Sequence, residues 1–225
     1  MRLCRQIPAL PAQALVLALL LAGCSLGPAA AAPLRLLAFG DSLTHGYGLP
    51  AGETFPEQLE AALRADGLDV TVINAGNSGD TTAGGRARLD WALADRPDAV
   101  LLELGANDGL RGLDPAATYD NLDAIMARLS AAGLPVLIAG MLAPPNLGRE
   151  YGDAFNAVYP RLAEKYAAPL YPFFLEGVAL EAKLNQADGI HPNAAGVAEI
   201  VRRIRPQVVA LLTGGATAPG RAAAN

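Results

Sequence analysis

Short apolar runs alternate with longer helix-like segments along most of the chain, and this alternation limits the fold more than any other feature. The strand-like runs are predicted at 34–39, 69–74, 99–104, 135–141 and 168–173. The helix-like segments are predicted at 53–65, 82–94, 115–132, 149–166 and 193–212. Strands that are apolar on both faces and separated by helices are typical of parallel sheets. The pattern therefore predicts an α/β domain in which helices cover both faces of a parallel sheet.

The first two dozen residues are typical of an export signal. Two arginines stand within the first five residues, and the apolar run at 12–22 is short for a membrane span. Leu21-Ala22-Gly23-Cys24 resembles a bacterial lipobox, whose cysteine becomes the acylated first residue of the mature protein. We therefore expect export to the periplasm and membrane contact only through lipidated Cys24. Cleavage of an ordinary signal peptide near 30–32 is the alternative, and an uncleaved anchor is a third possibility.

The chain divides into four predicted parts. These are a signal peptide at 1–24, a tether at 25–33, one folded domain at 34–213 and a disordered tail at 214–225, rich in Gly, Pro and Ala. The only cysteines are Cys4 and Cys24. Because Cys4 lies in the signal peptide, the mature chain is predicted to contain no intramolecular disulfide.

The charge distribution argues against a nucleic-acid partner. Removal of the signal peptide takes away Arg2 and Arg5 and no acidic residue, which leaves 15 basic against 22 acidic residues and a net charge of −7. No stripe of Lys or Arg lies along the chain to bind phosphates. A metal site is not predicted either, since the chain has two histidines and no cluster of cysteines.

Ser42 is the leading candidate nucleophile. It follows the first predicted strand in Gly40-Asp41-Ser42-Leu43, and active sites of parallel α/β sheets lie at the carboxyl ends of the strands. A serine hydroxyl needs a neighbouring base to attack at neutral pH. Read alone, the tetrapeptide favours an ordinary turn between a strand and a helix.

His191 is the leading candidate base. It stands in Asp188-Gly189-Ile190-His191-Pro192, where a carboxylate three residues earlier can fold back to accept the imidazole Nδ1–H. A helix-capping turn is the alternative for this segment. The competing histidine, His45, has no carboxylate at comparable spacing except Asp41, and we interpret it as structural or as part of a groove.

Two further loops carry groups that are suited to an oxyanion. The loop after the second strand contains Gly79, whose backbone N–H is a candidate donor, and the loop after the third strand contains Asn107, whose side-chain amide is another. The alternative for both loops is that their Asn and Gly residues only form turns. Neither loop has the spacing of a phosphate-binding motif.

Four blocks of the sequence, taken together, resemble the GDSL, or SGNH, hydrolase family. They are Gly40-Asp41-Ser42-Leu43, Gly79, Gly105-x-Asn107-Asp108 and Asp188-x-x-His191-Pro192. They occur in the family's order and extend from the first strand to the last helix. Other stretches look like the bacterial branch of thioesterases that also act as arylesterases and lysophospholipases: Ser78-Gly79-Asp80-Thr81, Asn107-Asp108-Gly109-Leu110-Arg111-Gly112 and Pro172-Phe173-Phe174.

The resemblance implies a flavodoxin-like three-layer α/β/α sandwich with a five-stranded parallel sheet. It also implies a catalytic triad of Ser42, Asp188 and His191, and an oxyanion hole formed by the amides of Ser42 and Gly79 and the side chain of Asn107. No cofactor is implied. The chain departs from the branch at Ala106, where glycine is usual, and the extra methyl group is expected to crowd the hole slightly or to shift substrate preference.

The expected substrates are small esters, thioesters or lysolipids. Apolar residues in two loops beside the site are predicted to form an open groove for an acyl chain: Gly109, Leu110, Leu113, Leu142 and Pro144. A deacetylase of acetylated polysaccharide is the alternative enzyme, and a lipoprotein that carries lipids without catalysis is the alternative outside enzymes.

Overall fold

A computed structural model describes residues 32–214. The predicted signal peptide with Cys24, nearly all of the tether and the tail beyond residue 214 lie outside the described residues. Within 32–214, no helix is both long enough and apolar enough to span a membrane.

Five parallel strands form one sheet. They are β1 (Leu34–Gly40), β2 (Val70–Gly76), β3 (Ala99–Glu103), β4 (Val136–Ala139) and β5 (Leu170–Tyr171). Their order across the sheet is β2-β1-β3-β4-β5, and all neighbouring pairs run parallel. This flavodoxin-like order has its topological switch point between β1 and β3, where ligand sites of such sheets lie. The predicted five-stranded parallel sheet is therefore confirmed.

Two groups of helices cover the sheet. The helices are α1 (Ser42–His45), α2 (Phe55–Ala65), α3 (Thr82–Leu93), α4 (Ala106–Leu110), α5 (Pro115–Ala131), α6 (Arg149–Asn156), α7 (Val158–Tyr166) and α8 (Ala194–Leu212). Helix α2 packs against α8, whereas α5 packs against both α3 and α7. With the central strands β3 and β4 buried throughout, the fold is the expected α/β/α sandwich.

The ends of the long helices follow from local side-chain chemistry. Asp114 caps α5 by accepting from the N–H of Ala116 at 2.9 Å, and Asn193 caps α8 in the same way. Helix α2 begins two residues later than predicted. The reason is that the Glu57 carboxylate accepts from both the N–H and the hydroxyl of Thr54, which fixes Thr54 as the residue before the helix.

The single helix predicted at 149–166 is wrong, because the structure has two helices, α6 and α7, separated at Ala157. Pro160 lies in the first turn of α7. It has no N–H to donate to the carbonyl of Asn156, and its ring would clash with that carbonyl in a continuous helix. A proline is tolerated in a first turn, so the chain starts a new helix here.

Aromatic side chains fill the core next to the sheet. Phe55 and Phe174 meet edge to face with ring centroids 4.9 Å apart, and both are fully buried. Phe155 and Tyr159 do the same at 6.0 Å, and the Tyr159 hydroxyl donates to the carbonyl of Leu104 at 3.0 Å. These contacts anchor the α2 and α6–α7 regions close to the carboxyl ends of the strands.

Candidate active site

The loops predicted to carry chemistry meet at one edge of the sheet. In the strand register, Gly40 at the end of β1 lies level with Gly76 of β2 and with Glu103 of β3. The segments that follow these three residues contain Ser42, Gly79 and Asn107. Because the strands are parallel, their carboxyl ends bring the three segments together at the switch point.

The turn that holds Ser42 is packed too tightly for any residue except glycine at position 40. A β-carbon on Gly40 would collide with Oγ1 of Thr44 and lie 2.6 Å from the backbone oxygen of Glu103. Asp41 then caps the short helix α1 by accepting from the N–H of Leu43 at 3.0 Å. Ser42 therefore sits at the first position of a helix that starts directly after the strand.

Ser42, His191 and Asp188 form a continuous hydrogen-bonded relay. The Nε2 atom of His191 lies 3.0 Å from the Oγ atom of Ser42, and its Nδ1 atom lies 2.6 Å from Oδ2 of Asp188. The other carboxylate oxygen, Oδ1 of Asp188, accepts from the N–H groups of Ile190 and His191, both at 3.0 Å. Both ring nitrogens of the histidine are thus engaged in the order that general-base activation of a serine requires.

Hydrogen bonding keeps Asp188 ionised. The side-chain contact with His191, followed by the His191 and Ile190 backbone N–H groups, lowers the pKa of Asp188 from 3.8 to about 2. The ring of Tyr47 packs on the His191 imidazole, with centroids 4.6 Å apart and planes inclined by 37°. The Tyr47 carbonyl accepts from the side-chain amide of Gln186 at 2.7 Å, which fixes the backbone that carries this ring.

Three candidate oxyanion donors lie around Ser42. Gly79 has φ of 85°, a left-handed conformation that favours glycine. Within residues 32–214, no protein acceptor is found for the backbone N–H of Ser42 or of Gly79. The Asn107 amide donates to the carbonyl of Asp80 at 2.9 Å and to Oδ2 of Asp41 at 3.2 Å. The structure thus brings all three sequence-predicted donors to the same edge of the sheet.

A pair of buried carboxyl groups, Asp41 and Glu103, lies beneath the serine. Glu103 accepts from the hydroxyl of Thr44 at 2.7 Å and from the N–H of Asp41 at 3.3 Å. Burial raises the pKa of Asp41 from 3.8 to about 6. Burial, together with the charge of Asp41, also raises the pKa of Glu103 well above its ordinary value. A carboxyl pair of this kind holds protons at a pH where exposed acids are ionised.

The two segments of the predicted groove lie against each other. Gly109 and Leu110 were expected in a loop, but they lie in the short helix α4. A β-carbon on Gly109 would be 3.4 Å from Cδ of Pro144, so α4 contacts the loop after β4 at this point. The exposed fractions of Leu110 and Leu142 are 53% and 49%, and Leu113 is also exposed. These leucines present apolar surface to solvent, as a groove for an acyl chain requires.

His45 is not part of the relay. Its ring is exposed, and its Nδ1 atom lies 3.4 Å from the carbonyl oxygen of Gly76. Among the described residues, no group of three His, Cys, Asp or Glu side chains is arranged to hold a metal ion.

Three residues that sequence reasoning did not single out contribute to the site. They are Tyr47 against the imidazole, Glu103 beneath the nucleophile turn, and Arg88, which donates to the carbonyls of Gly40 and Ala75. Glu103 lies at the end of a buried strand, where a charged residue is unusual, so the sequence alone could have indicated a polar cluster here. Arg88 gave no comparable sign, because an arginine in the middle of a helix is ordinarily solvated.

A serine next to an imidazole and a carboxylate, with amide donors at the end of a parallel sheet, is the arrangement of serine hydrolases. Residues 38–199 match the model of the GDSL-like lipase/acylhydrolase family. The chain therefore belongs to this family, and it is a carboxylic ester hydrolase.

Individual relatives agree with the family assignment. The chain is 42% identical over 199 residues to "Esterase TesA" of Pseudomonas aeruginosa. The aligned residues cover 87% of this chain and 99% of that protein. It is 44% identical over 165 residues to "Thioesterase 1/protease 1/lysophospholipase L1" of Escherichia coli K12, covering 73% and 78%. The crystal structure of AlinE4, an SGNH-hydrolase family esterase, superposes with a TM-score of 0.69 at 48% identity and covers 80% of this chain and 97% of that chain.

Proposed function

We propose that this esterase acts through Ser42 as nucleophile, His191 as general base and Asp188 as the residue that orients the histidine. The observation that carries the proposal is the unbroken relay from Asp188 through both nitrogens of His191 to the Ser42 hydroxyl. Asp188 fixes the proton on Nδ1, which leaves Nε2 free to accept the proton of the serine.

The reaction proceeds in two half-reactions. The Ser42 oxygen forms a bond to the acyl carbon while its proton moves to His191, and the resulting imidazolium donates that proton to the departing alcohol or thiol. A water molecule, deprotonated by His191, then attacks the acyl-serine, and His191 returns that proton to the Ser42 oxygen as the carboxylic acid is released.

The N–H groups of Ser42 and Gly79 and the amide of Asn107 stabilise the negative oxygen that forms in both half-reactions. Asn107 is held by the Asp80 carbonyl at 2.9 Å, and its longer contact with Asp41, at 3.2 Å, is the one that a substrate oxygen can share. The loss of a single donor of this kind lowers turnover by about 10²–10³-fold.

The substrates that fit are esters and thioesters with a short or medium acyl chain, and lysophospholipids. The exposed leucines at positions 110, 113 and 142 support an apolar groove beside Ser42, with Gly109 and Pro144 at the contact between helix α4 and the loop after β4. The names of the relatives from Pseudomonas aeruginosa and Escherichia coli support the same range of substrates. An open groove of this kind is suited to modest rather than strict selectivity for chain length.

The test measures turnover of p-nitrophenyl esters from acetate to laurate, of a lysophospholipid and of an acyl thioester. We expect turnover of the three classes, with a broad optimum of chain length, and loss of all activity in Ser42→Ala. A strict preference for acetate contradicts the groove and favours a carbohydrate deacetylase. Binding of fatty acid by the folded wild type without any turnover contradicts the enzyme and favours a lipid carrier.

We further propose that residues 1–24 are a lipoprotein signal, that Cys24 is acylated, and that 25–33 tether the enzyme to a membrane facing the periplasm. The lipobox at 21–24 supports this proposal, and β1 begins at Leu34, directly after the tether. Metabolic labelling with a fatty-acid probe tests it. We expect label on the wild type and none on Cys24→Ala, whereas an unlabelled wild type cut near Ala32 contradicts the proposal.

A further inference from the structure

Arg88, on helix α3, lies beneath the loops of the active site and not on the solvated face of its helix. Only 19% of its side chain is exposed. Each of its three guanidinium nitrogens donates to a different segment: Nη2 to the carbonyl of Gly40 at 2.7 Å, Nη1 to the carbonyl of Ala75 at 2.8 Å, and Nε to Oδ2 of Asp80 at 2.5 Å. The guanidinium plane also lies over the ring of Phe39, 4.2 Å from its centroid.

The three acceptors belong to the segments that carry the oxyanion donors. Gly40 stands two residues before Ser42, and Asp80 directly follows Gly79. The carbonyl of Asp80 accepts from the amide of Asn107 at 2.9 Å, so the third donor is connected to Arg88 through the same residue. One planar cation therefore links the positions of all three donors.

Asn77 reinforces this connection. Its N–H donates to the Gly40 carbonyl at 3.0 Å, the same oxygen that Arg88 binds, and its side-chain amide donates to Oδ1 of Asp80 at 2.7 Å. The Asp80 carboxylate is thus held by two groups, and the end of β1 is tied to the Gly79 loop by two routes. Arg88 also binds β2 itself, through the carbonyl of Ala75.

We propose that Arg88 is a positioning residue that sets the spacing of the three oxyanion donors, an inference that rests on the proposed function of Ser42, Gly79 and Asn107. Charge alone does not provide this role. The fork of the guanidinium satisfies acceptors in three fixed directions, whereas a lysine ammonium on a flexible stem has no such planar geometry. Arg88→Lys therefore keeps the charge and loses the geometry.

The experiment compares Arg88→Lys with Arg86→Lys. Arg86 is a matched control, because it lies on the same helix, is exposed and has a 3.4 Å contact with Asn121. Titration with a fluorophosphonate counts functional serines, so kcat is expressed per active site. We expect Arg88→Lys to lower kcat by about 10²-fold with KM changed less than about threefold, because misplaced donors weaken binding of the transition state and not of the substrate. Arg86→Lys should match the wild type.

If Arg88→Lys does not fold, Asp80→Asn tests the same contact by changing the carboxylate that Arg88 binds. It removes the ion pair with Arg88 and leaves the Asp80 backbone carbonyl that holds Asn107 in place. We expect a fall in kcat at nearly constant KM, and a slower rate of phosphonylation by the fluorophosphonate, since that reaction also places an anionic oxygen in the hole.

Two outcomes overturn the inference. One is a kcat per active site equal to that of the wild type in the folded variants, with only the melting temperature lowered. Arg88 would then stabilise the fold without placing the oxyanion donors. The other is an equal change in Arg86→Lys. Failure of the underlying function is distinguishable, because Ser42→Ala would then retain turnover, whereas a failed inference leaves Ser42→Ala inactive and Arg88→Lys fully active.

Discussion

The substitution Asp188→Asn tests how the carboxylate controls the proton on His191. An asparagine at this position has two possible orientations. With its oxygen towards the backbone N–H groups of Ile190 and His191, its amide nitrogen faces Nδ1 of the imidazole. In the reverse orientation the nitrogen faces two N–H donors, both of which Asp188 binds at 3.0 Å. The first orientation is favoured, because it leaves no backbone donor unsatisfied.

That orientation inverts the tautomer of the histidine. The asparagine nitrogen donates to Nδ1, so the proton of neutral His191 resides on Nε2, which can then no longer accept from Ser42. Turning the amide to restore the productive tautomer leaves both N–H donors without their acceptor, which costs about 1–3 kcal/mol in total because both lie near solvent. Loss of the negative charge beside the imidazolium costs about 2 kcal/mol more, after allowance for solvent, since 37% of the Asp188 side chain is exposed.

Together these costs correspond to a fall in kcat of about 10²- to 10⁴-fold. The assay is turnover of p-nitrophenyl butyrate at pH 8, combined with ¹⁵N NMR of the imidazole to identify the tautomer. Asp95→Asn, at an exposed position after α3, changes the charge equally and should leave kcat unchanged. A kcat within tenfold of the wild type, with the proton still on Nδ1, would refute this reasoning.

Three further predictions concern stability and the second histidine. Because burial raises the pKa of Asp41 to about 6, the folded protein keeps this proton to a higher pH than the unfolded chain does, and the free energy of unfolding falls as the pH rises from about 4 to 6. The rise from 3.8 to about 6 is worth about 3 kcal/mol. In urea titrations, the free energy of unfolding of Asp41→Asn should therefore lack a decline of that size between about pH 4 and 6. The same decline in the variant as in the wild type would contradict this prediction. Phe174→Ala empties a fully buried site against Phe55 and should lower the free energy of unfolding by about 3–5 kcal/mol in urea, whereas a loss under 1 kcal/mol would mean that the core refills the space. His45→Ala should change kcat less than about threefold, because its ring contacts a carbonyl and not the serine; a loss comparable to that of His191→Ala would make His45 the base.

The sheet and the proximity of Ser42, Asp188 and His191 were predictable because their signals are local and redundant. Each strand is an apolar run between turn residues, and Ser42, Asp188 and His191 lie in motifs at predicted loop positions. The chain has only two histidines, which reduced the choice of base to His45 or His191. The hydrogen bond between His191 and Asp188 spans three residues, so its spacing was visible in the sequence as well.

Features that depend on tertiary contacts were not predictable. Helices α1 and α4 have four and five residues, too few to show an amphipathic period. The partners of Arg88 are backbone carbonyls on two strands and a carboxylate eight residues away, and no residue type in the sequence identifies a carbonyl as an acceptor. The break at Ala157 differs from these cases, because Pro160 marked it and the rule against proline in a helix interior was available.

The identity of the nucleophile is the central claim, and it is tested most directly by mapping the site of covalent modification. The protein is treated with a fluorophosphonate, digested and analysed by mass spectrometry. We predict one adduct per chain, on the peptide that contains Ser42, with loss of esterase activity in proportion to labelling and no adduct in Ser42→Ala. An adduct on Ser78 or Ser130, or full esterase activity in Ser42→Ala, would contradict the account.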